Sequence, residues 1–262
     1  MSLIKSQNFS RAELNNLREA GKILASLFRD ARDVVHAGKT AREIDAWFAR
    51  EIKARGAHAT YLDADVNFPG VICISTNDTV VHGVPTDEVF ATGDIVSFDL
   101  VVDVNGMKAD SAFSMIVDEV PRGAKKILLN MTERSLYAGI DAAEKSLAKN
   151  GFAKIGDISK AVESVLAKNH LGIVRDLVGH GIGRDMHEEP DVPNYSDSRS
   201  NNICVPRGNA IAIEPMATLG GWKIAQDPLD GWTIRTRDGS LSAHFEHTIL
   251  LGENGVEIIT QL

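Results

Sequence analysis

Residues 94 to 117 read DIVSFDLVVDVNGMKADSAFSMIV, two apolar, β-branched runs on either side of Asn105-Gly106. Asn-Gly suits the positive φ that a two-residue hairpin turn demands at both central positions, so the segment predicts an antiparallel hairpin. With that turn centre, Val104 faces Met107 and Val101 faces Asp110. Asp99 lies two positions from Val101 on the same face, which makes it the diagonal neighbour of Asp110 at ~7–8 Å or somewhat less. The opposite face carries Phe98, Leu100, Val102, Val104, Met107, Ala109 and Phe113. One face of this ribbon must therefore be covered, while the other holds two acids side by side. Left bare in a partly buried place, two carboxylates repel and one takes up a proton; a divalent cation between them removes that cost. The alternative is that both face solvent, as Asp103 and Lys108 beside the turn are expected to.

Helical segments flank this hairpin. Ser10 to Glu13 reads as a capping box, followed by Leu17, Ala20, Leu24, Leu27, Ala31 and Val34 at helical spacing. Thr40 to Glu43 is a second box, opening a helix with Ile44, Trp47, Phe48 and Ile52 on one side. The segment from Thr132 to Leu171 repeats the plan, with Gly151 and Gly156 in the connection and then Ile158, Ala161, Val162, Val165 and Leu166. A shift of 114 residues carries Ile44 onto Ile158 and brings Asp99 within one position of Glu214. Two similar α/β (α+β) halves are implied, about residues 10–120 and 121–262, unless two unrelated helix pairs mimic one another. No Pro-rich or Ser-rich linker separates them, so residues 1–262 read as a single domain.

Composition excludes several classes. A net charge of −8 argues against an electrostatic nucleic-acid footprint. Cys73 and Cys204 are the only cysteines, too few for a disulfide framework, and a reducing compartment is expected. The opening residues have no apolar run of signal-peptide length, and no stretch of 18 apolar residues occurs, so the expectation is a cytoplasmic protein with no membrane partner.

Three further words present polar groups from apolar or glycine-rich surroundings. GHGIGRDMHEEP, residues 179–190, carries His180 and His187 among glycines that permit positive φ and close backbone approach. IAIEPM places Glu214 at a strand end, before a proline that would stop ladder pairing. FEHTILL embeds Glu246 in an apolar strand. Taken singly, each His or Glu reads equally as a structural or surface residue. Together with Asp99 and Asp110, the residues His180, Glu214 and Glu246 form an oxygen-rich set with one imidazole, which suits a metal pair.

In this order, GDIVSFDL, KADSAF, GHGIGRDMHEEP, IAIEPM and FEHTIL closely resemble the methionine aminopeptidases of bacterial type, over about residues 10 to 255. The resemblance implies the pita-bread fold, two pseudo-symmetric halves whose antiparallel sheet is covered by helices. It also implies a metallo-aminopeptidase using two divalent ions, of which Mn, Fe, Co and Zn suit the donors about equally. Asp99, Asp110, His180, Glu214 and Glu246 would be the ligands, with Asp110 and Glu246 bridging. Glu214 would shuttle a proton, and His187 and His82, the latter from NDTVVHGVP, would contact substrate. The implied partners are nascent polypeptides with N-terminal methionine and a small second residue, met in transient contact with the ribosome by a monomeric enzyme.

The methionine pocket departs from the family. Phe68, Cys73 and Trp232 fit the usual lining of Cys and aromatics, whereas Leu62, Asp65 and Met186 do not. Leu62 and Met186 are apolar exchanges that a thioether side chain tolerates. Asp65 either turns to solvent from the polar loop DADVNFP or meets a cationic substrate group, and the polar surroundings favour the first. The competing readings are a proline-specific aminopeptidase or prolidase of the same fold, and a non-catalytic interaction module.

Overall fold

The computed structural model describes residues 2–262. Four long helices form as two pairs: α1 (Arg11–Ala31) with α2 (Ala41–Ala54), and α3 (Gly123–Asn150) with α4 (Ile155–Lys168). Both predicted capping boxes are made in full, Ser10 with Glu13 and Thr40 with Glu43, each satisfying two otherwise orphaned backbone N–H groups. Shifted by 114 residues, the span of α2 coincides with that of α4. Gly151 ends α3 in the left-handed conformation, at φ 77°. Gly156, expected in the connection, lies instead in the first turn of α4, where a Cβ would come within 2.8 Å of the Asn201 backbone.

The hairpin forms with the predicted register. Strands Ile95–Val104 and Met107–Ile116 pair antiparallel, with Val104 opposite Met107 and Val101 opposite Asp110. Asn105 and Gly106 take φ of 52° and 83°, as this turn requires. This ribbon is the centre of a nine-stranded sheet. Along it run Glu188–Val192, Gly179–Gly181, Ala210–Ile213, Glu246–Gly252, the two hairpin strands and His58–Ala59. Gly255–Ile258 adds to Glu246–Gly252, and Cys73–Thr76 to Ile95–Val104. All these pairings are antiparallel.

The helices bury the apolar face. Phe28 of α1 and Phe48 of α2 pack with Phe98 and Phe113 of the hairpin, the last two stacked at 5.2 Å between ring centroids. Truncating a buried Phe in such a core costs about 3–5 kcal/mol, so the helices hold this face firmly. Asp103 and Lys108 are not simply solvent-facing. They lie opposite each other in the ladder, form an ion pair at 3.0 Å, and are only 15% and 14% exposed at their side chains. Among the described residues no helix is long and apolar enough to cross a membrane.

Candidate active site

The face of the sheet opposite Phe98 and Phe113 gathers the acids, with Asp99, Asp110 and Glu246 buried there. Asp99 and Glu246 each lie opposite Ala112, so one row across three strands reads Asp99, Ala112, Glu246. A methyl group between two carboxyl-bearing positions leaves room above the sheet that a larger side chain would fill. Asp110 stands on the same face by the pleat. His180 arrives from Gly179–Gly181, and Glu214 follows strand Ala210–Ile213 immediately before Pro215. Gly179 and Gly181 serve close approach rather than positive φ: a Cβ would stand 2.4 Å from the Ala212 carbonyl oxygen at the first and 2.3 Å from that of Glu189 at the second. Gly179–Gly181 is a short strand, so of the two freedoms that the glycines offer it is close approach that is used.

Asp110, His180 and Glu246 bring ligand atoms within 4.8 Å of one another, all buried. His180 Nε2 lies 3.5 Å from Glu214 Oε1 and 3.8 Å from Asp110 Oδ2. Its Nδ1 is 2.9 Å from the Gly181 carbonyl oxygen, which can only accept. The proton therefore sits on Nδ1, and Nε2 turns its lone pair toward the carboxylates. Burial pushes the His180 ring down to about 4, so it is neutral near pH 7. Burial also raises the acids, Asp99 to about 6 and Asp110, Glu214 and Glu246 well above the usual carboxyl range, with their mutual repulsion adding to it for the last three. Asp110 Oδ1 and Glu246 Oε1 are buried without any hydrogen-bond partner. Four carboxyls stripped of water, two with orphaned oxygens, beside an imidazole lone pair fit a divalent cation and are costly otherwise.

These groups form the floor of a cavity of about 150 Å³, whose walls include Phe68, Cys73, Met186 and Trp232. Sites that enclose drug-sized ligands reach roughly 300–1,000 Å³; this one admits a single side chain. Phe68 meets Trp232 edge to face at 5.4 Å. His82 and His187 stand at the same cavity. His82 adopts φ 55°, a left-handed conformation uncommon for a residue with a Cβ, and burial holds its ring down to about 4. His187 is exposed, its ring 4.3 Å from that of His180.

Leu62 is 55% exposed and does not line the cavity, so it is no pocket residue, while Asp65 is exposed outside the cavity, the solvent-facing pose that its polar loop favoured. Residues 60–62 form one turn of 3-10 helix, which turns Tyr61 inward in place of Leu62. Tyr61 is buried and donates its hydroxyl to Asp99 Oδ1 at 2.8 Å, while Val66, the residue after Asp65, lines the cavity wall. His244 was not anticipated either. It is 1% exposed, with Nε2 at 3.7 Å from Glu214 Oε2 and 3.9 Å from Glu246 Oε2, and its position two residues before Glu246 on an extended run was the available signal.

Residues 15–253 match Metallopeptidase family M24. The chain belongs to that family. Within M24 it groups with methionine aminopeptidases. It is 36% identical to methionine aminopeptidase 1 of Bacillus subtilis (strain 168) over 95% of this chain and 97% of that one. It is 37% identical to the methionine aminopeptidase of Aquifex aeolicus (strain VF5), over 97% and 98%. The crystal structure of methionine aminopeptidase from Thermotoga maritima superposes with a TM-score of 0.90 at 34% identity, covering 98% of this chain and all of that one. Prolidase from Pyrococcus furiosus reaches 0.74 at 20% identity and is covered over 65% of its length, a likeness of fold alone. The pita-bread fold expected from the sequence is the fold observed.

A pH dependence follows for this M24 member. Because the acids hold protons more tightly folded than unfolded, the cluster's contribution to apo stability is complete at low pH. The share of Asp99 is lost as pH rises from the ordinary 3.8 through about 6, and that of Asp110, Glu214 and Glu246 at higher pH still. Cation binding must expel those protons. Affinity for a divalent ion is therefore expected to rise from pH 5 to pH 7 with net proton release, measured by calorimetry in buffers of different ionisation enthalpy. An affinity flat across that range would show that these acids do not hold the ion.

Proposed function

We propose that this chain removes the N-terminal methionine from newly made polypeptides, with Asp99, Asp110, His180, Glu214 and Glu246 holding two divalent ions drawn from Mn, Fe, Co or Zn. The observation that carries the reading is the juxtaposition of this buried set with a small apolar-walled chamber at one cavity. Such ions supply Lewis acidity and a nucleophile at neutral pH. The protein's own groups do the rest. The walls of Phe68, Cys73, Met186, Trp232 and Tyr61 take the thioether side chain. Glu214 accepts the proton of the attacking water and returns it to the leaving amine. His82, neutral near pH 7, and His187 donate N–H bonds to the carbonyl oxygen as it gains charge.

In this reading residues 1–262 act as one monomeric catalytic domain, its halves of about 10–120 and 121–262 meeting at the site. It works in the cytoplasm on chains with a small second residue, in passing contact with the ribosome.

A peptide panel varied at the first two positions tests the reading. Free methionine is expected from Met-Ala-Ser, with the activity lost in chelator and restored by at least one of the four metals. Preference for Ala-Pro peptides would instead favour a proline-specific enzyme, and no turnover with any of the metals would favour a non-catalytic module. Asp65 supplies a second check. Since it faces solvent outside the cavity, Asp65→Tyr is expected to preserve kcat/KM for Met-Ala-Ser within about threefold, as surface changes usually do. A loss beyond about tenfold would give the carboxylate a direct part in substrate choice.

A further inference from the structure

His244 is a fully buried imidazole to which the hydrolytic steps above give no part. It closes the strand Ser242–His244, where its backbone is fixed twice by one side chain: its N–H donates to Ser114 Oγ at 2.9 Å, and its carbonyl accepts from the same hydroxyl at 2.9 Å. The ring direction is therefore set by the sheet. Both ring nitrogens lack a hydrogen-bond partner. A neutral imidazole carries one N–H and one lone pair. With the carboxyls ionised, as a bound cation requires, a proton on Nδ1 would leave that N–H buried without an acceptor and aim the Nε2 lone pair at two carboxylates. With the proton on Nε2, the donor faces Glu214 Oε2 at 3.7 Å and Glu246 Oε2 at 3.9 Å. His180 is the opposite case, its Nδ1 proton engaged by the Gly181 carbonyl and its Nε2 lone pair free. One carboxyl group, Glu214, thus stands between two imidazoles of opposite polarity, the lone pair of His180 near Oε1 and the N–H of His244 near Oε2.

We infer that His244 is a positioning residue that donates Nε2–H to Glu214 Oε2 and so turns Oε1 toward His180 and the cation-holding cluster. The present separation exceeds the ~3.2 Å limit of a good hydrogen bond. A small turn of the terminal carboxyl torsion of Glu214, which is broad and soft, closes it. Donors to ligating groups fix ligand orientation, and their loss typically weakens metal binding ~10–100-fold. The inference rests on the reading of Glu214 as a cation ligand.

The test is titration of the metal-free full chain with Co(II), followed by calorimetry and by the visible absorption of the bound ion. His244→Leu is expected to weaken Co(II) affinity ~10–100-fold and to shift the absorption bands. His244→Gln keeps an N–H donor without an imidazole nitrogen, and should hold affinity within about threefold of the wild type. Should His244→Leu fail to fold, His244→Met replaces it as the donor-free variant. Wild-type affinity in the donor-free variant overturns the inference, and so does an equal loss in His244→Gln, which would make the imidazole itself a ligand. Glu214→Gln in the same titration separates the two levels: if that variant binds Co(II) as the wild type does, the reading of the metal site fails whatever His244 does.

Discussion

Asp110→Asn and Glu246→Gln are each expected to abolish peptide hydrolysis while leaving the apo protein as stable as the wild type or more so. The two halves of this expectation have one cause. Burial and mutual repulsion raise both carboxyls well above their usual range, so near neutrality the metal-free cluster retains protons and strain. An uncharged amide of the same shape removes the repulsion without opening a cavity. Loaded with cations, the same positions must supply negative charge, and an amide cannot. Thermal unfolding of the apo variants and Met-Ala-Ser hydrolysis at matched metal measure the two effects separately. Activity within about tenfold of wild type would remove that residue from the site.

How far the sequence could be read depended on whether a local rule fixed side-chain direction. The hairpin was legible residue by residue, because the turn type sets the register and the pleat assigns alternate residues to opposite faces. The same parity placed Asp99 and Asp110 together. Capping boxes made the starts of α1 and α2 equally readable. By contrast, residues 60–62 form a single 3-10 turn, with no period long enough to show which side chain points inward, so nothing in the sequence marks Tyr61 rather than Leu62 as the buried one. Gly179 and Gly181 permitted either positive φ or close backbone approach, and the structure uses the second, as strand-to-strand clearance set by residues distant in sequence: Ala212, Val192 and Glu189. His244 was passed over for a related reason. Its spacing from Glu246 was visible, but its approach to Glu214 depends on strand Met216–Thr218 pairing beside it, with Met216 opposite His244.

His187→Ala is the variant that best separates holding the ions from using them. The side chain is exposed at the cavity, with its ring 4.3 Å from that of His180. His180, Asp110 and Glu246 form a compact set without it. Its removal should therefore leave cation binding intact. Its N–H, in the proposed chemistry, meets the carbonyl oxygen only as that oxygen gains charge, so the contact is worth more in the transition state than in the bound substrate. The expected result is a fall in kcat of ~10²–10³, the scale of losing one such donor, with KM little changed. Calorimetric titration with Co(II) beside steady-state kinetics on Met-Ala-Ser measures both quantities. A loss of metal affinity would make His187 a ligand, and an unchanged kcat would leave stabilisation of the developing charge to His82 and the cation-holding floor.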